Sequence, residues 1–254
     1  MNIYLSHLFE DEEIIRLAES YRFGVETIEF SIGHSLDKKE SSVANYRDRM
    51  GPLIDMVPFS AHGPFIDLSP ASFDVRIREV TMKRFQDAYD SINALGGKYI
   101  VFHTCFIPSV YFESSWRDNS VLFWKEFLAD KDDKVKVYLE NVLDNNPEPI
   151  AEVIDRVNHP AFGFCLDIGH ANCFSKRPVI NSWAREMGDR VKHIHIHNNN
   201  GWRDQHSILS EGTIPMKETL DILRSRFPDV GWTLEMNRYE DAVASMEWLK
   251  DNDF

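Results

Sequence analysis

Cysteine is scarce in the chain: only Cys105, Cys165 and Cys173 occur in 254 residues, and no two form a C-x-x-C pair. That usage points to a reducing, cytoplasmic compartment rather than a disulfide scaffold. Long apolar runs are missing too. None approaches the roughly 20 residues a membrane span needs. The opening stretch MNIYLSHLFEDEE lacks the basic segment expected of a signal peptide. Basic residues are outnumbered, 28 Lys and Arg against 41 Asp and Glu, for a formal net charge of -13. Such a balance opposes long-range attraction to nucleic acid or to an anionic membrane, and no Lys/Arg cluster offers a local basic groove. No glycine-rich phosphate turn follows the first apolar segment, which argues against a doubly wound dinucleotide fold. No low-complexity linker divides the chain, so one domain over 1–254 is expected.

What is present is an alternation of two periodicities. Short apolar or β-branched runs predict strands at 2–6, 26–32, 57–61, 99–103, 135–140, 162–167, 191–197 and 232–236. Amphipathic stretches between them predict helices at 12–21, 40–50, 75–95, 121–128, 148–157, 179–187, 216–227 and 240–251. Gly96 and Gly97 supply a stop for the long third helix. Eight consecutive strand–helix units at this length predict a single (β/α)8 barrel of parallel strands.

In such barrels the chemistry gathers at the C-terminal strand ends. Strand three ends SAHGPF with His62, strand four VFHTC with His103, and strand five VYLEN with Glu140. Strand six ends FCLDIGH, giving Asp167 and, in the following loop, His170. Strand seven, VKHIHIH, places His193, His195 and His197 on one face, because alternate strand residues point the same way. Asp204 and His206 follow it, and strand eight ends TLEMN with Glu235. Each residue alone has an ordinary explanation. Asp167 is a natural helix cap, His103 a natural hydrogen-bonded core residue, and His193 lies deep enough to be structural. Six successive strands ending in imidazole or carboxylate argue for convergence. Carboxylate oxygens and imidazole nitrogens together suit a divalent ion such as zinc or manganese.

The segments SAHGPFIDLSP, VFHTC, VYLEN, CLDIGHAN, HIHNNNGWRDQHSILSEGTIP and TLEMN resemble the xylose-isomerase-like TIM barrels, a superfamily of sugar isomerases and epimerases that also contains endonuclease IV. By resemblance to the ketose 3-epimerases and keto-inositol isomerases, Glu140, Asp167, His195 and Glu235 hold one ion and His170 contacts substrate. By resemblance to endonuclease IV, His62, His103, Glu140, Asp167, His170, His195, Asp204, His206 and Glu235 hold three zinc ions. The nuclease pattern is departed from at Ile168–Gly169, at Thr104-Cys105-Phe106 after His103, and at Asn198-Asn199 after His197. The DNA-binding arginine loops have no counterpart, and Asn198 also replaces the usual Asp of the sugar-handling branch.

The resemblance therefore implies a metal-dependent isomerase or epimerase of a small sugar, sugar phosphate or polyol, working through an enediolate. Glu140 and Glu235 exchange the carbon-bound proton, and His170 holds a hydroxyl. One ion is expected, with up to three if the remaining five residues ligate. A zinc phosphodiesterase of the endonuclease IV kind is the alternative. Trp116, Trp202 and Phe106 are expected at the mouth, either packing on a sugar or packing the loops.

Overall fold

A computed structural model describes residues 2–175 and 179–254. Eight parallel strands close into one barrel in the order β1-β2-β3-β4-β5-β6-β7-β8. They are β1 Ile3–His7, β2 Gly24–Thr27, β3 Phe59–His62, β4 Tyr99–His103, β5 Lys136–Glu140, β6 Phe162–Asp167, β7 Val191–Ile196 and β8 Gly231–Leu234. The helices are α1 Asp11–Tyr21, α2 Gly33–Asp37, α3 Lys39–Met50, α4 Leu53–Met56, α5 Val75–Ala94, α6 Glu113–Leu128, α7 Glu148–Val157, α8 Ile168–Phe174, α9 Val179–Met187, α10 Met216–Arg226 and α11 Tyr239–Asp251. Among the described residues no helix is long and apolar enough to cross a membrane.

Most expected elements fall within a residue or two of these bounds, and the exceptions have local causes. Strand two starts earlier and ends at Thr27 rather than residue 32. There the Thr27 hydroxyl oxygen accepts the amide of Glu29, the Ser31 hydroxyl donates to the Ile28 carbonyl, and a 3-10 turn over Glu29–Ser31 carries the chain off the sheet. Helix α6 begins at Glu113, well before the expected 121, because Trp116 in its polar first half is buried and donates its indole N–H to the Thr104 carbonyl at 3.2 Å. Glycine stops α5 as expected. Gly96 has φ +76, and a Cβ on Gly97 would stand 2.2 Å from the Ile92 side chain. His170 lies in α8, not in a loop.

The larger apolar core lies between the strands and the helical ring and includes Phe85, Phe102, Trp124, Phe127, Phe164 and Trp183. The barrel interior is different. Tyr4, Tyr99, Val101 and Cys165 form a separate buried cluster with Tyr138 packed on it. His193 joins that plug, its ring centroid 4.4 Å from that of Tyr99. Parallel register sets the residues above it. Glu140 lies beside Cys165, Asp167 beside His195, and His195 beside Thr233. Histidines two residues apart on β7 thus occupy successive levels, and the upper ones reach the C-terminal mouth.

Candidate metal centre

Glu140, Asp167, His195 and Glu235 are delivered by the ends of β5 to β8. The His195 ring is fully buried, and its Nδ1 lies 3.1 Å from Glu235 Oε1, 3.3 Å from Glu140 Oε1 and 4.0 Å from Asp167 Oδ2. Donors around a four-coordinate ion with bonds of about 2.0–2.2 Å stand about 3.3–3.6 Å apart, close to the Glu235 and Glu140 separations, while Asp167 stands farther out. Asp167 is the helix cap that the sequence suggests. Its Oδ1 accepts the His170 amide at 2.6 Å and caps α8. Its Oδ2 is buried and has no hydrogen-bond partner. An unpaired buried carboxylate oxygen is costly unless a cation meets it. The donor set therefore suits a divalent cation.

The other candidates gather around this quartet. His62 Nε2 is 3.1 Å and His103 Nε2 3.5 Å from Glu140 Oε2. His170 spans the cleft, its Nδ1 3.3 Å from Glu140 Oε1 and its Nε2 3.2 Å from Asp204 Oδ2. His206 Nε2 is 3.0 Å from the same Asp204 oxygen, and its Nδ1 is 3.6 Å from Glu235 Oε2. His170, His197, Asp204 and His206 each bring one potential ligand atom within 4.8 Å of the others, as do His62, His103 and Glu140 among themselves. All nine residues converge.

Electrostatics follows from the crowding. Burial pushes Glu140 up, but the imidazoles of His195, His103 and His170 outweigh it and hold the carboxyl well below its usual value. Burial dominates at Glu235, against His195 and His206, and its carboxyl stays raised. The two glutamates facing the same ring are thereby unequal. Burial works against charge on His170, yet Asp167, Asp204 and Glu140 raise it well above an ordinary imidazole. His206 rises to about 9 in spite of burial, chiefly through Asp204. His103 is lowered to about 3, because burial, joined by the neighbouring imidazoles, outweighs the pull of Glu140.

Two residues escaped the sequence reading as site members. Glu26, in the middle of β2, is fully buried with Oε1 3.1 Å from His195 Nε2. Its only sequence signal is a carboxylate at the start of the strand expected over 26–32. His197, noted on the strand but not as a candidate ligand, stacks on His206 at 4.1 Å between centroids and faces Asp167 Oδ1 at 3.3 Å. The aromatic expectation is corrected in part. Trp116 and Phe106 are buried and pack on each other, so the loop-packing role holds for them; Trp202 is exposed. Phe65 instead lines the cavity, 4.5 Å from the His103 ring. The cavity measures about 300 Å³ and is also lined by His62, His103, Glu140, His170, Asp204, His206, Glu235 and Asn237.

The sequence model of the xylose isomerase-like TIM barrel family matches residues 16–252. The chain belongs to that family. An uncharacterised protein of Methanocaldococcus jannaschii is 31% identical over 204 residues, which cover 77% of this chain and 70% of that one. A solved D-tagatose 3-epimerase-like protein is 28% identical, with a TM-score of 0.79 and coverage of 99% of this chain and 97% of that one. A D-allulose 3-epimerase from Methylomonas sp., solved with D-allulose, shares the fold at 17% identity, TM-score 0.76, over 99% of this chain and 97% of that one. Family and neighbours place the chain among the folds of sugar epimerases and isomerases.

Proposed function

We propose that this family member is a divalent-metal-dependent epimerase or isomerase of a small, uncharged ketose or keto-polyol. The observation that carries the reading is the ring of three carboxylates, Glu140, Asp167 and Glu235, within 4.0 Å of one imidazole nitrogen on His195. These four residues would hold the ion, which when bound supplies Lewis-acid stabilisation of negative charge on the substrate oxygens. The likeness to a D-tagatose 3-epimerase-like protein supports the substrate class.

The chain's own residues do the rest. Glu140 and Glu235 both line the cavity and approach His195 from β5 and β8. A ketose seated between them has one carboxylate on each face of its reacting carbon. One removes the carbon-bound proton and the other returns a proton on the opposite face, which inverts the centre. Glu235, held raised, is the better proton carrier; Glu140, faced by four imidazoles, is the better anion. His170 lines the cavity, where a substrate hydroxyl would take the place of Asp204 on its Nε2, and Phe65 offers an apolar wall. Among the described residues no Lys or Arg lines the cavity, while three carboxylates do. Repulsion from those carboxylates disfavours a phosphate group there, which supports unphosphorylated substrates.

The test is solvent deuterium incorporation into a panel of ketoses, keto-inositols and their phosphates. Exchange into a neutral member is expected from the metal-loaded protein. Glu235→Gln should retain most of the metal and lose exchange by about 10²–10⁴-fold, the usual contribution of a general base. No exchange into any panel member, together with cleavage of an abasic-site duplex, refutes the assignment. That outcome would favour the zinc phosphodiesterase reading, which one observation supports: all nine residues of the three-ion set stand in the same cleft.

A further inference from the structure

Glu26 has no part in the scheme above, yet it is a fully buried carboxylate at the level of His195 inside the barrel. Its two oxygens have different surroundings. Oε2 accepts from the Tyr99 hydroxyl at 3.0 Å and from the Thr233 hydroxyl at 2.7 Å. His193 Nε2 backs both hydroxyls, at 2.9 Å and 2.7 Å. With both hydroxyl protons committed to Glu26, His193 Nε2 must carry a proton and donate. The carboxylate is thus anchored on one side by groups from β4, β7 and β8. Its Oε1 has no hydrogen-bond partner and stands 3.1 Å from His195 Nε2, which has none either. On the far side of the same ring, Nδ1 faces Glu140, Asp167 and Glu235.

We propose that Glu26 is a positioning residue that holds the Nε2 proton of His195 and so presents Nδ1 as the ligating nitrogen. The inference rests on the metal-centre reading above. A neutral imidazole carries one proton, and the carboxylate beside one nitrogen decides which of the two keeps its lone pair. Such carboxylate–imidazole–metal relays fix the ring's orientation, and losing the outer carboxylate typically costs about 10–100-fold in metal affinity. Tyr99, Thr233 and His193 set the position of Glu26 in turn, so the relay extends to the aromatic plug of the barrel.

Two measurements test this. Zinc affinity is measured by chelator competition with Zn²⁺ alone on wild-type protein, Glu26→Gln and Glu26→Asp. Both variants should weaken binding, Glu26→Gln by about 10–100-fold. Glu26→Asp keeps the charge but withdraws Oε1 from the ring, so its loss separates positioning from simple charge attraction. Long-range ¹H–¹⁵N spectra of the zinc-loaded wild type should show the proton of His195 on Nε2. A proton on Nδ1, or unchanged affinity in both variants, overturns the proposal while leaving the metal centre standing. Wild-type protein that binds no zinc overturns the metal centre itself. The spectrum of the wild type decides the question even if a variant does not fold.

Discussion

Replacing Gly169 by Ala tests how tightly the candidate centre is built. Gly169 is the second residue of α8, just after Asp167. A Cβ there would stand 2.0, 2.2 and 2.5 Å from Cε1, Nε2 and Nδ1 of His197. Ordinary contact begins at 3.4 Å, so the ring or the helix must move by about 1.4 Å. The ring has little freedom. It is fully buried, stacks on His206 at 3° between planes, and faces Asp167 and Asp204 at 3.3 and 3.5 Å. Two effects oppose each other. Gly→Ala in a helix is favourable by about 0.8–1.0 kcal/mol, and overpacking a rigid site costs about 1–3 kcal/mol. With three ring atoms inside contact distance the upper figure applies, leaving a net loss of about 2 kcal/mol. For a chain of this size that lowers Tm by about 4–8 °C. Thermal melts of wild type, Gly169→Ala, His197→Ala and the double variant complete a cycle. With His197 truncated, the same Gly→Ala change should stabilise. If Gly169→Ala raises Tm in the wild-type background, the close approach of His197 to α8 is refuted.

Removing divalent ions with EDTA should lower Tm, by about 5–11 °C relative to protein at 100-fold excess over Kd, since such binding is worth about 2.7 kcal/mol; an unchanged melt contradicts a metal-stabilised centre. His206→Ala should leave one ion per chain by elemental analysis, because His206 meets the quartet through Glu235, its Nδ1 3.2 Å from the Glu235 carbonyl oxygen and 3.6 Å from the carboxylate; loss of a near-stoichiometric metal would show that the outer histidines ligate. Asp144 offers a pH test away from the quartet: burial raises its carboxyl from 3.8 to about 6, against hydrogen bonds from Thr104 and the Val142 amide. A raised folded pKa gives stability present below pH 3.8 and lost as pH rises through 6, up to about 3 kcal/mol. Asp144→Asn, which keeps an acceptor for both donors, should therefore raise Tm at pH 8 and leave it nearly unchanged near pH 4; equal shifts at both values refute the buried-charge explanation.

The sequence by itself determined the parallel barrel, most strand boundaries and the nine mouth residues. Those features are written locally: apolar runs of strand length alternate with helical periodicity, and period-two spacing puts His193, His195 and His197 on one face. Strand ends then mark the mouth, because a parallel barrel points every C-terminal strand end the same way. Tertiary structure alone decided the rest. Of the two roles open to Trp116 and Phe106, packing prevailed over facing the cavity, because a buried carbonyl on Thr104 meets the indole. His170 and His197 acquired their partners through the turn of α8 and the missing side chain of Gly169. Glu26 came to stand against His195 across the barrel from a strand distant in sequence. Periodicity records which face a residue takes but not its depth or its neighbour across the barrel. Those depend on strand register and closure between β1 and β8, which bring residues far apart in the chain to one level.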